Sequence, residues 1–415
     1  MSANLQHQAR RVWKAVAPQA LRHEVGKVLQ TWRLRRRQWA ARARPLSPAA
    51  RAAPAGPIKV VGLFGASHGI GASARLTLDA LQALGAPVEA IDVSDGAYAP
   101  FAGPQHASAW IFVLNPPELV EVLTRLGPQF VVGPRYGYWA WELPRAPADW
   151  RFAGVMVHEI WAPSQYTARS LAHARAPVRV VPHPLTRFAD ASALEPPRSD
   201  VFRALAFLDF NSSAARKNPF GAIAAFRAAF GDDSGARLII KAQGGERYPQ
   251  HLAALKSAAA GNVEILHAAL EEEAVQQLIR DVDVVISLHR AEGFGLVMAE
   301  AMAARTPVIA TAYSGNLEFM TAESAILIPA GKIPVDDPQG IYIGQTWADP
   351  DLKAAASALR VLRADPAFRA ALAEQGWKQV KARLSPLAWC EHLPASMQAS
   401  ARQPQRGTTS KRLGR

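Results

Sequence analysis

VISLHRAEGFGLVMAEAMAARTPVIAT, residues Val285 to Thr311, places two carboxylates, Glu292 and Glu300, on either side of the glycine turn Gly293–Phe294–Gly295. The apolar run from Val284 to Leu288 suits a buried parallel strand, and Leu296 to Ala304 has helical composition, so the glycines fall where strand gives way to helix. In open α/β sheets that junction is where ligands bind. Free N–H groups at a helix start hold phosphate. Glu292 stands before the helix and Glu300 about one turn inside it. The layout suits a nucleotide sugar, with diphosphate on the amides and hydroxyls on the two acids. An incidental acidic pair on a surface helix is the alternative reading of the spacing alone.

The stretch resembles the E-x7-E signature of the retaining glycosyltransferases of family 4, which have the GT-B fold: two Rossmann-like parallel-sheet α/β domains facing a cleft. The resemblance implies that Glu292 approaches the transferred sugar. It further implies that Gly293, Phe294, Gly295, Leu296 and Val297 line the diphosphate and that Glu300 binds the ribose. Upstream, NSSAARKNPFGAIAAFRAAF follows an expected strand, Arg203 to Phe210. Arg216 and Lys217 precede the helix that Asn218 and Pro219 open, and two cations there suit a departing diphosphate. They resemble the family's Arg and Lys pair, which implies a catalytic role beside Glu292. Lys241, at the end of the strand Arg237 to Ala242, is a further donor-side candidate. The turn Thr311 to Leu317 adds Gly315 and Asn316, which by the resemblance flank sugar and diphosphate.

The first half of the chain carries the same organisation more weakly. Ile58 to Phe64 is an apolar strand, followed by Gly65, Gly69 and Gly71 and a helical stretch from Ala72 to Leu84. GASHGIG is not the dinucleotide fingerprint, although Asp92 sits near the distance at which a dinucleotide enzyme places its acid. By the resemblance Gly69, Ile70 and Gly71 line the interdomain cleft, and Arg75 faces either that cleft or solvent. Further strands are expected at Trp110 to Leu114, Gln129 to Gly133, Val155 to Trp161 and Val178 to Val181. Between the second and third lies RYGYWAWELPRAPADW, Arg135 to Trp150, whose rings offer apolar faces to sugars while Arg135 or Glu142 reaches hydroxyls. Packing is the competing use of these aromatics. A subset of bacterial family members is similar here, with Trp-Glu-Leu-Pro followed by an EIWAPS-like segment, matched by Glu159 to Ser164. Tyr138, Trp139 and Glu142 are therefore acceptor or cleft candidates. The family's usual His after the strand Gln129 to Gly133 is missing, and Tyr136, Tyr138 and Trp139 stand there instead. His183, in Val181–Pro184, resembles the family's Pro-His segment and is a candidate contact.

The 415 residues suffice for two domains with appendages, and 49% apolar composition allows large cores. No run approaches the length of a transmembrane helix, and the basic N-terminus lacks the apolar core of a signal peptide. Cys390 is the only cysteine, so a disulfide within the chain is excluded and a cysteine metal site is disfavoured. Asp281 and Asp283 spell Asp-x-Asp, but at the start of a buried strand, so no metal and no cofactor is expected. The net charge of +13 lies at the ends: residues 1–45 hold eleven cations and one acid, and residues 401–415 hold five cations and no acid. Between them stand 31 basic and 33 acidic residues, so the body is near neutral.

The expected organisation is a basic amphipathic extension and linker over 1–57, an N-terminal acceptor domain over 58–193 and a nucleotide-sugar domain over 194–384. A segment over 385–400 crosses back to the first domain, and a basic tail occupies 401–415. Val12 to Trp39 mixes Trp and apolar residues with cations, interrupted by Pro18 and Gly26, as in short helices lying on an anionic membrane. A solvated tail and a nucleic-acid arm are the other readings, and no nucleic acid is expected. The implied activity is retaining transfer of a hexose-type sugar to a glycan or lipid-linked acceptor, in the cytoplasm or on the inner face of the membrane. A GT-B nucleotide-sugar epimerase and an inactive nucleotide-sugar-binding protein are the alternatives.

Overall fold

The structure is a computed structural model that describes residues 56–401 except 97 and 191–199. The expectations for residues 1–55, 191–199 and 402–415 lie outside the described residues. The N-terminal domain contains β1 (Ile58–Gly62), β2 (Val88–Asp92), β3 (Gln105–His106), β4 (Ala109–Val113), β5 (Val131–Val132), β6 (Arg135–Tyr138), β7 (Glu159–Ala162) and β8 (Val178–Val180). Six of these form one parallel sheet in the order β2-β1-β4-β6-β7-β8. The C-terminal domain contains β9 (Phe202–Asp209), β10 (Ala236–Gln243), β11 (Val263–His267), β12 (Val284–Ser287), β13 (Val308–Thr311) and β14 (Ile326–Ile328). They too form a parallel sheet, ordered β11-β10-β9-β12-β13-β14. A hairpin of β15 (Ala330–Pro334) and β16 (Thr346–Pro350) follows. Strand order reverses between β1 and β4 and between β9 and β12, and the loops leaving those strand ends form the cleft walls.

Both sheets are covered on both faces. One face of the first sheet packs Trp110, Phe112, Leu123 and Trp150, and the other packs Val60, Ala74, Leu81 and Trp161. Trp389, Cys390, Leu393 and Met397 join that second cluster, so the segment after the Pro366–Leu384 helix is part of the N-terminal domain's core. A buried indole removes 150–250 Å² from water, which stabilises by about 4–6 kcal/mol at about 25 cal/mol per Å². In the other direction, Leu185 donates its N–H to Leu384 O at 2.7 Å and is buried among C-terminal residues. The chain therefore enters the second domain's core at Leu185, before the boundary expected at residue 193.

Two readings of the first domain need correction. Gln129 to Gly133 is not a strand of the main sheet: only Val131–Val132 is extended, and it pairs with Gln105–His106 in a small side sheet. The sheet strand is Arg135–Tyr138, all four residues buried, within the aromatic segment expected to lie between strands. Aromatic residues suit a pleated, covered surface, and here Tyr136 stacks on Trp161 from β7 while Tyr138 meets the same ring edge-on. Gly69, Ile70 and Gly71 likewise form the first turn of a helix, Gly69–Ala83, that begins three residues earlier than expected. A Cβ on Gly71 would come within 2.3 Å of Ala66 O, so only glycine lets the helix start this close to the loop.

Candidate active site

β9 leads into a short turn that aims two cations at the strand beside it. Ser213, at φ 71°, accepts the Arg216 N–H at 3.1 Å, and Asn218, at φ 54°, ends the Ala214–Lys217 helix. Asn218 Oδ1 then caps the Pro219–Phe230 helix through the Gly221 N–H at 3.1 Å, while its Nδ2 donates to Leu288 O at 2.9 Å. That amide thus fastens the cation turn to the end of β12, four residues before Glu292. Arg216 is buried: its Nε donates to Ser212 O at 3.0 Å, and its Nη1 donates to Ala291 O at 2.7 Å and lies 3.1 Å from Glu292 Oε1. Lys217 Nζ donates to the same Glu292 oxygen but keeps 22% of its side chain exposed. Burial alone would raise the Glu292 carboxyl, yet Lys217 and Arg216 outweigh it and hold it at about 2. Glu292 also holds the Arg216 guanidinium in its charged form against burial.

The glycine turn that follows is gripped from both domains. Gly293 O accepts Ser164 Oγ at 2.6 Å and Thr167 Oγ1 at 3.1 Å, both from the N-terminal domain. A Cβ on Gly315 would meet Gly293 O at 2.1 Å, so the second glycine turn lies directly against the first. Ser314, at φ 78°, accepts the Glu292 N–H at 2.8 Å, and the Gly315 N–H donates to Glu292 O at 2.9 Å. Gly295, at φ 100°, starts the Leu296–Ala303 helix, and no side chain caps it. The amides at Leu296 and Val297 are therefore available to an anion. Phe294 contributes backbone only, because its ring is buried against Phe319 and His183.

Glu300 lies half-buried one turn further on. Burial, with Glu272 adding to it, pushes its carboxyl up to about 7 against the opposing pull of Arg75 and Arg187. Arg75 comes from the N-terminal domain, where its Nη1 donates to Phe64 O at 2.7 Å and Ala66 O at 2.9 Å, and its Nε lies 3.9 Å from Glu272. It braces the first glycine loop and faces the other domain. Lys241 is buried at the end of β10 with Nζ on Gln243 Oε1 at 2.6 Å, and burial lowers its pKa despite the neighbouring Asp209.

Several other candidates do not reach the cleft. Trp139 is fully buried and packs edge-on to Trp150 in the first domain's core. Tyr138 is buried as well, with its hydroxyl donating to Val181 O at 2.6 Å. Arg135 donates to Pro128 O and Val131 O, both at 2.7 Å. His183 is buried between Tyr138 and Phe294, bonded to Ser73 Oγ at 3.1 Å, and burial lowers its pKa to about 3, leaving it neutral. Asn316 is buried too: its amide donates to Thr311 O at 3.0 Å and its Oδ1 faces His289 Nε2 at 3.2 Å, so it supports the turn from beneath. Asp283 accepts the Arg203 N–H at 2.8 Å and pairs with Arg369 at 3.1 Å, a structural use of that acid. Asp92 is similarly occupied by the Phe64 and Ser94 N–H groups.

The connection between β15 and β16 contributes residues that sequence reasoning missed. Asp337 accepts Ser213 Oγ at 2.9 Å and the Ile341 and Tyr342 N–H groups at 3.0 and 3.1 Å. Tyr342 is buried over Arg216 and Trp141, and its hydroxyl donates to Glu142 Oε2 at 3.0 Å. Glu142 therefore anchors a strap across the two domains. Ser164 lay within the EIWAPS resemblance, whereas the strap has neither periodicity nor a motif to announce it.

Two parallel-sheet domains meeting at strand-end loops define the GT-B fold. Residues 208–333, under a third of the chain, match the family model of the glycosyl transferases group 1. The structure is similar to HepE of Anabaena, solved with UDP and glucose, with a TM-score of 0.58 and 14% identity over 83% of this chain and 100% of that one. Sucrose-phosphate synthase from Thermosynechococcus elongatus gives a TM-score of 0.56 at 17% identity over 83% of this chain and 97% of that one. TarM of S. aureus, solved with fondaparinux, alpha-GlcNAc-glycerol and UDP, gives 0.50 at 11% identity over 71% of this chain and only 55% of its own length. No curated protein sequence matches the chain.

Proposed function

We propose that this protein is a retaining glycosyltransferase that moves a hexose-type sugar from a nucleotide diphosphate sugar to an acceptor hydroxyl. The observation that carries this reading is the Lys217–Glu292 pair set beside the uncapped Leu296–Ala303 helix, at the strand reversal of the C-terminal sheet. The donor diphosphate would take the Leu296 and Val297 amides and Lys217, and Glu292, ionised and fixed, would orient the sugar. As the bond from the anomeric carbon to the phosphate oxygen breaks, its electron pair goes to the phosphate, where Lys217 and the amides stabilise it. The acceptor oxygen attacks the same face of the sugar and its proton passes to the leaving phosphate. Arg216 acts through Glu292 and the turn, since its guanidinium is committed to two carbonyls. Ribose hydroxyls fall to Glu300. No metal or cofactor enters this scheme.

The bound UDP and glucose of HepE make UDP-glucose the first donor to try. A glycan or lipid-linked acceptor, and with it a place in bacterial envelope polysaccharide or glycolipid synthesis on the inner face of the membrane, completes the proposal by analogy. Incubation with UDP-, GDP- and dTDP-hexoses should release nucleoside diphosphate from one donor class, and proton NMR of the product should show the donor's anomeric configuration retained. An altered sugar still attached to its nucleotide, or binding without turnover for every donor and acceptor, would overturn it.

A further inference from the structure

Behind the second glycine turn lies a groove of about 670 Å³ between the domains. Its N-terminal wall includes Tyr166 and Arg169, and its C-terminal wall includes Tyr313, Ser314, Leu317 and Lys332. A second depression of about 410 Å³ shares Pro144 and Thr346 with it and adds Arg145. Glu292, Lys217 and Glu300 are in neither lining. Ser314 links the groove to Glu292, because its hydroxyl holds the Glu292 N–H at 2.8 Å.

The lining has a definite chemistry. Arg145, Arg169 and Lys332 are exposed, and none forms an ion pair among the described residues. The one acid of the lining, Glu318, already accepts the Gln165 N–H at 2.7 Å. Tyr166 and Tyr313 meet edge to face at 5.6 Å with their hydroxyls 3.3 Å apart, so they present apolar rings with polar tips. Leu317 is 44% exposed beside them, and Gln165 and Thr346 supply neutral hydrogen-bonding groups. Apolar ring faces among hydroxyl and amide groups match a saccharide, whose C–H faces and hydroxyls alternate. Three uncommitted cations add a demand for negative charge. The chain's own ends, which hold sixteen cations and one acid, are repelled by such a lining.

We propose that this groove binds an anionic saccharide segment, carboxylate- or phosphate-bearing, of the acceptor glycan at a distance from its reacting hydroxyl. The proposal rests on the glycosyltransferase reading for the word acceptor only; the binding itself is measured without turnover. Full-length protein is titrated by calorimetry with tetragalacturonate, with a maltotetraose bearing phosphate monoesters and with maltotetraose itself, and separately with UDP. At least one anionic oligomer should bind at least tenfold more tightly than maltotetraose, with affinity falling as salt rises. Arg169→Ala/Lys332→Ala should weaken that binding at least tenfold and leave UDP affinity unchanged, and Leu317→Asp, an exposed site, should weaken it with no change in melting temperature. Absence of binding by both anionic oligomers, or equal binding by the double variant, would overturn the proposal even if UDP binds and sugar is transferred. Anionic binding that is lost in the double variant, in a protein that neither binds UDP nor turns over a donor, would leave the groove intact and remove the transferase reading instead.

Discussion

Glu292 and Glu300 have the same side chain and opposite electrostatics. Lys217 and Arg216 hold Glu292 at about 2, so it is ionised throughout the physiological range. At Glu300 burial, with Glu272 adding to it, outweighs the more distant Arg75 and Arg187 and raises the carboxyl to about 7. If its carboxylate receives the ribose hydroxyls, donor binding must first remove a proton below that pH. The diphosphate of UDP-glucose does not titrate between pH 6 and 8.5, so it isolates the protein's contribution. Its dissociation constant should rise by close to tenfold for each unit below about 7. Glu300→Gln should bind more weakly at pH 8.5 and show no such slope. Calorimetry across pH 6 to 8.5 checks this, and equal slopes in the two proteins would remove Glu300 from the donor site. Stability runs the other way. The folded pKa exceeds the unfolded value of about 4.3, so Glu300 costs stability as pH rises from about 4.3 to about 7, and Glu300→Gln should melt higher at pH 8. The acid pair was legible from its spacing, but the contrast between its members was not, because it depends on Lys217, Arg75, Arg187 and Glu272 arriving from elsewhere in the chain.

Strands that carry a continuous, mostly apolar run were readable from the chain. β1, β4, β9, β10 and β12 appear within one or two residues of their expected runs, because each is a buried parallel strand. β6 escaped notice because RYGY lacks an aliphatic run and stands amid aromatics that also suit a binding loop; only Trp161 across the sheet decides it. The strap between β15 and β16 escaped entirely. Its order comes from one carboxylate, Asp337, tied to Ser213 and to the strap's own amides, and from Tyr342 reaching Glu142, 200 residues earlier in the chain. Asp337→Ala leaves those donors unpaired and should destabilise by about 1–3 kcal/mol. Amide exchange over residues 335–345 should quicken, while Lys217 and Glu292 remain paired. Exchange unchanged from wild type would mean that Tyr342 and Gln339, which donates to Phe210 O at 2.7 Å, hold the strap without Asp337.

At the scale of the whole molecule, charge and fold are divided between different parts of the chain. The two domains and the crossing segment around Trp389 account for a near-neutral body with Glu292 and Lys217 at its seam, whereas residues 1–45 carry eleven of the 47 cations. None of the described helices is long and apolar enough to cross a membrane. If the acceptor is lipid-linked, as proposed, the basic extension, with Trp13, Trp32 and Trp39 among its cations, has the chemistry to hold the protein at a bilayer surface. Each cation near an anionic leaflet contributes about 1 kcal/mol, so about ten suffice to hold the protein at low salt. Full-length protein should co-sediment with vesicles containing phosphatidylglycerol, remain in solution with phosphatidylcholine alone, and be released as salt shortens the Debye length. Deleting residues 1–45 should abolish sedimentation and leave UDP-glucose affinity unchanged, since Glu300, Lys217 and the Leu296 amide all belong to the body. Equal sedimentation by the truncated protein would move the membrane contact to the body or to residues 402–415, and loss of donor affinity on truncation would show that the extension completes the cleft.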